Sequence, residues 1–196
     1  NGNGYGEDWV QEAQRRGLSN LRDTVDCMPA YIDPKNIRLF AGHNILSETE
    51  MRARYEIHLE NYCKVTAIEA STLRDMVLRG ILPAVNRYTA DLTQAILHKR
   101  ELVVPCRVEE DLLQKLSALT GSLYDTMAAI NEAMDKAPDA EGGIDAARYY
   151  REEIVRRALS ACGSPCDGRQ SIDQMESLTA AKYWPYPTYA DILFSV

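Results

Sequence analysis

Thiols, imidazoles and carboxylates are the groups that could carry chemistry, and the spacing of each decides what that chemistry would be. Cys162-Gly163-Ser164-Pro165-Cys166 sets two thiols in one short stretch, as a redox pair or half a metal site would. The gap is one residue wider than C-x-x-C, and no second Cys/His pair lies nearby in sequence. An ordinary turn-rich loop is the simpler reading, and whether the two thiols pair stays open. His43, His58 and His98 stand singly and far apart, outside any H-E-x-x-H arrangement. His58 lies one turn from Tyr55 and Tyr62, where a hydrogen-bonded, partly buried histidine is expected. Glu56 and Glu60 are neighbours on one helix turn, as an acid–base pair would be, but Arg52 and Lys64 flank them. That pattern describes a charged outer face. The run Asn1-Gly2-Asn3-Gly4-Tyr5-Gly6 lacks both the Lys-Ser/Thr of a phosphate loop and the third glycine of a dinucleotide fingerprint. It reads as a flexible connector whose glycines permit positive φ. No G-x-S-x-G elbow and no calcium loop occur. No catalytic, cofactor-binding or metal-binding residue is assigned.

Tyrosine is the unusual excess, 11 residues against 2 phenylalanines. Tyr183, Trp184, Tyr186 and Tyr189 interleave with Pro185 and Pro187 in an extended aromatic C-terminal tail. Such side chains bury a large area while keeping a polar tip, which suits docking. Two readings stand side by side: the tail anchors onto a neighbouring domain or subunit, or it folds back over its own bundle.

The elements that must position these residues fit within a chain long enough to bury a core. It has 196 residues, 45% of them hydrophobic, which excludes disorder and low complexity. A net charge of −7 leaves no basic footprint for nucleic acid and no polybasic membrane patch. No stretch approaches the ~18 consecutive apolar residues of a membrane span, and no leader pattern is present. Five cysteines, an odd number scattered through the chain, point to a reducing, cytoplasmic setting. The start at Asn1, without methionine and inside a glycine run, suggests a piece of something larger.

The patterns are helical. Residues 1–46 read as short helices and connectors: Glu7-Asp8 lead a helix closed by Arg15-Arg16-Gly17, and Asp33-Pro34 opens another to about Gly42. Ser47-Glu48-Thr49-Glu50 is a capping box that opens a long helix over 47–100. Its inward stripe is Tyr55, Leu59, Tyr62, Thr66, Ala70, Leu73 and Val77, with Glu60 and Lys64 paired outward. Pro83 interrupts it, leaving open one kinked rod or two helices. Val85, Tyr88, Leu92, Ala95 and Ile96 continue the pattern. Residues 101–106 look strand-like, but Pro105 makes them a connector. A second long helix over 107–137 carries the stripe Val108, Leu112, Leu116, Leu119, Leu123, Met127, Ile130 and Met134. Its mean step of about 3.7 residues predicts a nearly straight helix. A helix over 144–160 turns Ile144, Ala147, Ile154 and Ala158 inward, with Glu152–Arg156 and Glu153–Arg157 paired outside. Short helices and the Tyr/Trp/Pro tail fill 170–196. The expected fold is all-α, a single helical domain over 1–196 built as a bundle of long amphipathic helices with short capping helices.

The residues themselves resemble a known family. Asn1-Gly-Asn-Gly-Tyr5, Trp9-Val10, Glu12-Ala13 and Arg16-Gly17-Leu18 are similar to a stretch of the type III glutamine synthetases. So are Arg54-Tyr55-Glu56-Ile57, Leu59-Glu60-Asn61-Tyr62, Ile68-Glu69-Ala70, Leu82-Pro83-Ala84 and Ala147-Arg148-Tyr149-Tyr150. The ending Tyr183-Trp184-Pro185-Tyr186-Pro187-Thr188-Tyr189 completes a series in the order of that family's C-terminal region, spanning essentially the whole chain. The resemblance implies a parent enzyme that joins ammonia to glutamate using ATP and Mg or Mn, through a γ-glutamyl phosphate. It also implies that the metal-binding glutamates, nucleotide contacts and glutamate-binding arginines lie upstream, so no catalytic residue carries over to this chain. Stacked hexameric rings make a homo-oligomer the implied parent assembly. Two stretches depart from the family: Cys162 to Arg169 replaces a short Pro/Ala/Asp turn, and Ala146-Ala147 falls where a variable loop is expected.

The expected role is to brace the catalytic domain of the same chain and to help subunits assemble, without activity of its own. A rival reading is a helical regulatory or protein-binding module, which predicts a concave pocket with convergent polar groups. Another is a redox or metal switch through Cys162 and Cys166.

Overall fold

The computed structural model describes residues 6–159, 168–187 and 189–193. Among them every regular element is helical: α1 Glu7–Arg15, α2 Thr24–Tyr31, α3 Pro34–Gly42, α4 Glu48–Met76, α5 Leu82–Glu101, α6 Arg107–Asp135, α7 Gly143–Tyr149, α8 Gly168–Leu178 and α9 Tyr189–Leu193. Two segments are π-wound, Val77–Ile81 between α4 and α5, and Tyr150–Leu159 after α7. The chain divides into two compact units, Asn1–Lys64 with Asp139–Arg148, and Val65–Pro138 with Tyr149–Val196.

In the first unit the helix ends are set by side-chain caps. Asp23 accepts from the Asp26 amide at 2.9 Å to start α2, and Asp33 accepts from the Lys35 amide at 2.8 Å ahead of Pro34. Each satisfies an amide that the first helical turn leaves without a partner. The capping box is formed: the Glu50 amide donates to Ser47 Oγ at 3.3 Å, and the Ser47 amide donates back to Glu50 Oε2 at 2.8 Å. Gly17, at φ +68°, closes α1, with the Leu18 amide reaching back to the Ala13 carbonyl at 2.9 Å. Helix α2 has no counterpart among the helices named from the sequence, and Pro29 lies inside it. Val25 and Met28 are buried, and their burial outweighs the poor propensity of an eight-residue helix. Met51, Leu59 and Cys63 complete the core with Ala146 and Ala147. The last two are therefore buried helical residues of α7, not part of a variable loop. Small side chains with high helix propensity suit that position.

The second unit has α5 and α6 packed along each other, with α8 and the π-wound segment 150–159 against α6. Thr66, Ala70 and Val77 are buried as the stripe predicts, followed by Ile81, Val85, Leu92 and Ile96. On α6 the buried face is Leu116, Leu123, Met127 and Ile130. The expected stripe starts too early, since Val108 is 68% exposed. The first turn of α6 is held by ion pairs to the end of α5, which leaves Val108 facing solvent. Met175 and Ile154 close the core from α8 and the π-wound segment.

The question at Pro83 has a definite answer. The chain is helical without a break from Glu48 to Glu101. Proline lacks an amide hydrogen, and its ring crowds the carbonyl four residues back. Here the turn just before it widens: the Leu82 amide bonds the Val77 carbonyl, five residues away. The wider π register absorbs the ring without ending the helix.

Candidate bracing site on the long helix

The π-wound turn Val77–Ile81 takes a polar contact from a segment distant in sequence. Gly80 lies within it. The segment between α8 and α9 crosses this turn: the Tyr186 hydroxyl donates to the Met76 carbonyl at 3.2 Å, on the last residue before the π register begins. A Cβ built on Gly80 would lie 2.6 Å from the Tyr186 hydroxyl and 3.1 Å from its Cζ. The turn therefore admits the tyrosine only because residue 80 has no side chain. Further along the same helix, the Tyr183 hydroxyl donates to the Asp91 carboxylate and its ring tilts against Tyr88 at 5.4 Å between centroids. Lys182 Nζ sits over the Tyr183 ring at 4.6 Å, a cation–π contact. Of the two readings of the tyrosines, folding back onto their own helix holds for Tyr183 and Tyr186.

Other tyrosines use their hydroxyls the same way. Tyr149 donates to the Ala133 carbonyl at 2.9 Å and Tyr150 to the Pro138 carbonyl at 3.4 Å, fixing the start of the second π-wound segment. A phenylalanine would supply the ring and leave these carbonyls without that donor. This is a physical reason for the tyrosine excess.

A second polar cluster locks the corner between α5 and α6. Lys99 Nζ meets Glu109 at 2.5 Å and Arg100 meets Glu110 at 2.8 Å. The Cys106 thiol, buried, donates to Glu110 Oε1 at 3.1 Å. Lys99 holds the Glu109 carboxyl below its ordinary value, and Arg100, then the Cys106 thiol, do the same for Glu110. The Glu110 carboxylate in turn pushes the Cys106 thiol up, with burial adding to it. This cysteine is kept protonated, the opposite of an activated nucleophile. Burial likewise pushes up the thiol of Cys63.

All three histidines are exposed. His58 is exposed and not partly buried as expected, and its ring meets that of Tyr31 edge-on at 6.3 Å between centroids. The stripe Tyr55-Leu59-Tyr62 turns inward and carries position 58 to the solvent side. Glu60 is paired with Lys64 on the outer face. Glu152 and Arg156 pair at 2.9 Å. Cys162, Cys166, the Asn1–Tyr5 stretch and the Arg157 and Ala158 side chains lie outside the described residues. A shallow, open hollow is lined by Ala41, Asn44, Ile45, Leu46, Ser47 and Glu50. Its Ser47 and Glu50 are spent on each other in the capping box, so their polar atoms do not converge on a ligand. Among the described residues no three His, Cys, Asp or Glu side chains gather as a metal site, and no helix is long and apolar enough to cross a membrane.

Fold and site together define an all-α module whose ordered polar groups cap, pin and pair its own helices. The family model described as glutamine synthetase C-terminal domain matches residues 1–100, and the chain belongs to that family. It is similar over its whole length, at 34% identity, to a glutamine synthetase of Butyrivibrio fibrisolvens, of which it covers 27%. It is 29% identical to a glutamine synthetase of Bacteroides fragilis (strain YCH46), with 99% of this chain and 26% of that protein aligned. A type-3 glutamine synthetase of Dictyostelium discoideum is 28% identical, again over 99% of this chain and 26% of the relative. The chain thus spans about a quarter of the length of these relatives.

Proposed function

We propose that this chain serves as the C-terminal helical domain of a type III glutamine synthetase, a cytoplasmic ATP-dependent glutamate–ammonia ligase, and has no ligase activity by itself. Its work is mechanical: to brace the catalytic domain of the same protein and to contribute to assembly of a homo-oligomer. The observation that carries this reading is the match to the glutamine synthetase C-terminal domain, over a chain that aligns end to end with only about a quarter of each relative. The site supports it, since its tyrosines, ion pairs and caps are spent on holding helices in place. Binding of ATP with Mg or Mn belongs, in this reading, to the rest of the enzyme.

The test is an assay of glutamine formation from glutamate, ammonia and ATP, run on the 196-residue chain and on the whole protein. The whole protein is expected to turn over and the chain alone to be inert. Turnover by the chain at the whole enzyme's rate would refute the assignment. Solution masses of the two report on the assembly role: the whole protein is expected to form an oligomer that loses subunits when the C-terminal helices are removed.

A further inference from the structure

We propose that residues 183–187 form a strap that holds the π-wound turn Val77–Ile81, with Gly80 as its seat, so that the long helix bends at this turn only when the strap lifts. Three observations meet there. Pro83 removes an amide donor from the helix ladder, and the Leu82 amide has moved to the Val77 carbonyl, five residues back. A stretch with a missing donor and a shifted register is the weakest place in a long helix to resist bending. The strap bears on the helix at two points on either side of the proline: Tyr186 at Met76 and Gly80, and Tyr183 at Asp91 and Tyr88. A tie anchored before and after a hinge opposes motion across it in a way that one contact could not. Finally, the seat is shaped for the strap, since any Cβ at position 80 would displace the Tyr186 hydroxyl.

The strap is also placed to be released. Tyr186 and Tyr183 are only half-buried, and residues 180–187 lie outside any regular helix, with turn bonds from the Tyr183 amide to the Ala180 carbonyl at 2.9 Å and from the Trp184 amide to the Ala181 carbonyl at 3.2 Å. Opening free energies are low where apolar burial is slight and backbone hydrogen bonds are few. Whatever displaces this segment in the assembled protein therefore frees the hinge, and bending at the hinge in turn ejects the segment. The coupling runs both ways, as any such linkage must.

Hydrogen–deuterium exchange on the whole protein tests both directions. Tyr186→Ala is expected to speed exchange of the amides of residues 78–86 by several-fold, and Tyr186→Phe, which keeps the ring and loses the donor, by a smaller factor. Peptides from α3 serve as the unaffected control. Reciprocally, Gly80→Ala is expected to speed exchange at Tyr183, Trp184 and Tyr186, far from the substituted residue in sequence. If Tyr186→Ala fails to fold, the phenylalanine and Gly80 variants carry the test. Unchanged exchange over 78–86 in the Tyr186→Phe variant, or an unchanged strap in the Gly80→Ala variant, overturns the proposal.

Discussion

The Tyr186 hydroxyl occupies the space that a side chain on Gly80 would fill, 2.6 Å from the position of its Cβ. The same hydroxyl donates to the Met76 carbonyl at 3.2 Å. A glycine within a helix ordinarily costs about 1 kcal/mol relative to alanine. At this position the cost returns as a docking site for a residue distant in sequence.

Gly80→Ala therefore sets two effects against each other. Alanine improves helix propensity by about 1 kcal/mol, while displacing Tyr186 loses a hydrogen bond of about 1 kcal/mol and its ring packing. With Tyr186 present, the substitution is expected to be neutral or destabilising by about 1 kcal/mol. In a Tyr186→Ala background the clash is gone, and the same substitution should stabilise by about 1 kcal/mol. Urea denaturation of the four proteins gives the coupling, and equal effects in the two backgrounds would show that the residues act independently.

The long helix shows what sequence patterning could and could not reveal. Ser47, Glu50 and the stripe from Tyr55 to Val77 are local signals with period 3.6, and the structure has each of them. Continuity across Pro83 is not a local property. It rests on a π register that no spacing announces, in a turn met by a tyrosine 103 positions from the proline. Helix α2 was illegible for a related reason, because Pro29 is a breaker by propensity and only the burial of Val25 and Met28 overrides it. The capping box Ser47–Glu50 and the outward pair Glu60–Lys64 were readable directly from residue types and spacing. That Tyr183 and Tyr186 dock on α4 and α5 was not, since a proline-rich aromatic segment carries no record of its partner.

Val103 holds φ +56° while 91% exposed, in the connector between α5 and α6. A β-branched residue in the left-handed region is strained by about 1–2 kcal/mol and has little packing here to offset it. Asparagine tolerates that conformation. Val103→Asn is expected to raise stability by about 1 kcal/mol, read as a shift in the denaturation midpoint with an unchanged slope. A loss of stability would mean that the exposed valine packs against something in the whole protein.

Acid should loosen the same corner. Arg100 first, and then the Cys106 thiol, hold the Glu110 carboxyl below its ordinary value of 4.5, and Lys99 holds Glu109 down likewise. A carboxylate that binds its proton less tightly when folded contributes stability above the unfolded value and loses it as pH falls through the folded one. Stability is therefore expected to decline from about pH 4.5 downward. Glu110→Gln should make that decline shallower while leaving stability above pH 6 slightly lower. An identical pH profile for the variant would remove Glu110 from the acid response.

The thiols offer a probe of the same contacts without denaturation. Cys27 is exposed, whereas Cys63 and Cys106 are buried and both thiols are pushed up from their ordinary value. The thiolate is the species that alkylates, so both exposure and protonation place Cys27 ahead. Labelling with iodoacetamide at pH 7.5, followed by mass mapping, is expected to modify Cys27 well before the other two. Glu110→Ala removes the acceptor that is the principal cause of the shift at Cys106 and leaves Arg100, which lowers it. That variant should label at Cys106 several times faster, while Cys63, whose shift comes from burial, keeps its rate. Equal acceleration at both sites would indicate general loosening of the bundle; acceleration at Cys106 alone identifies the Glu110 hydrogen bond as the restraint.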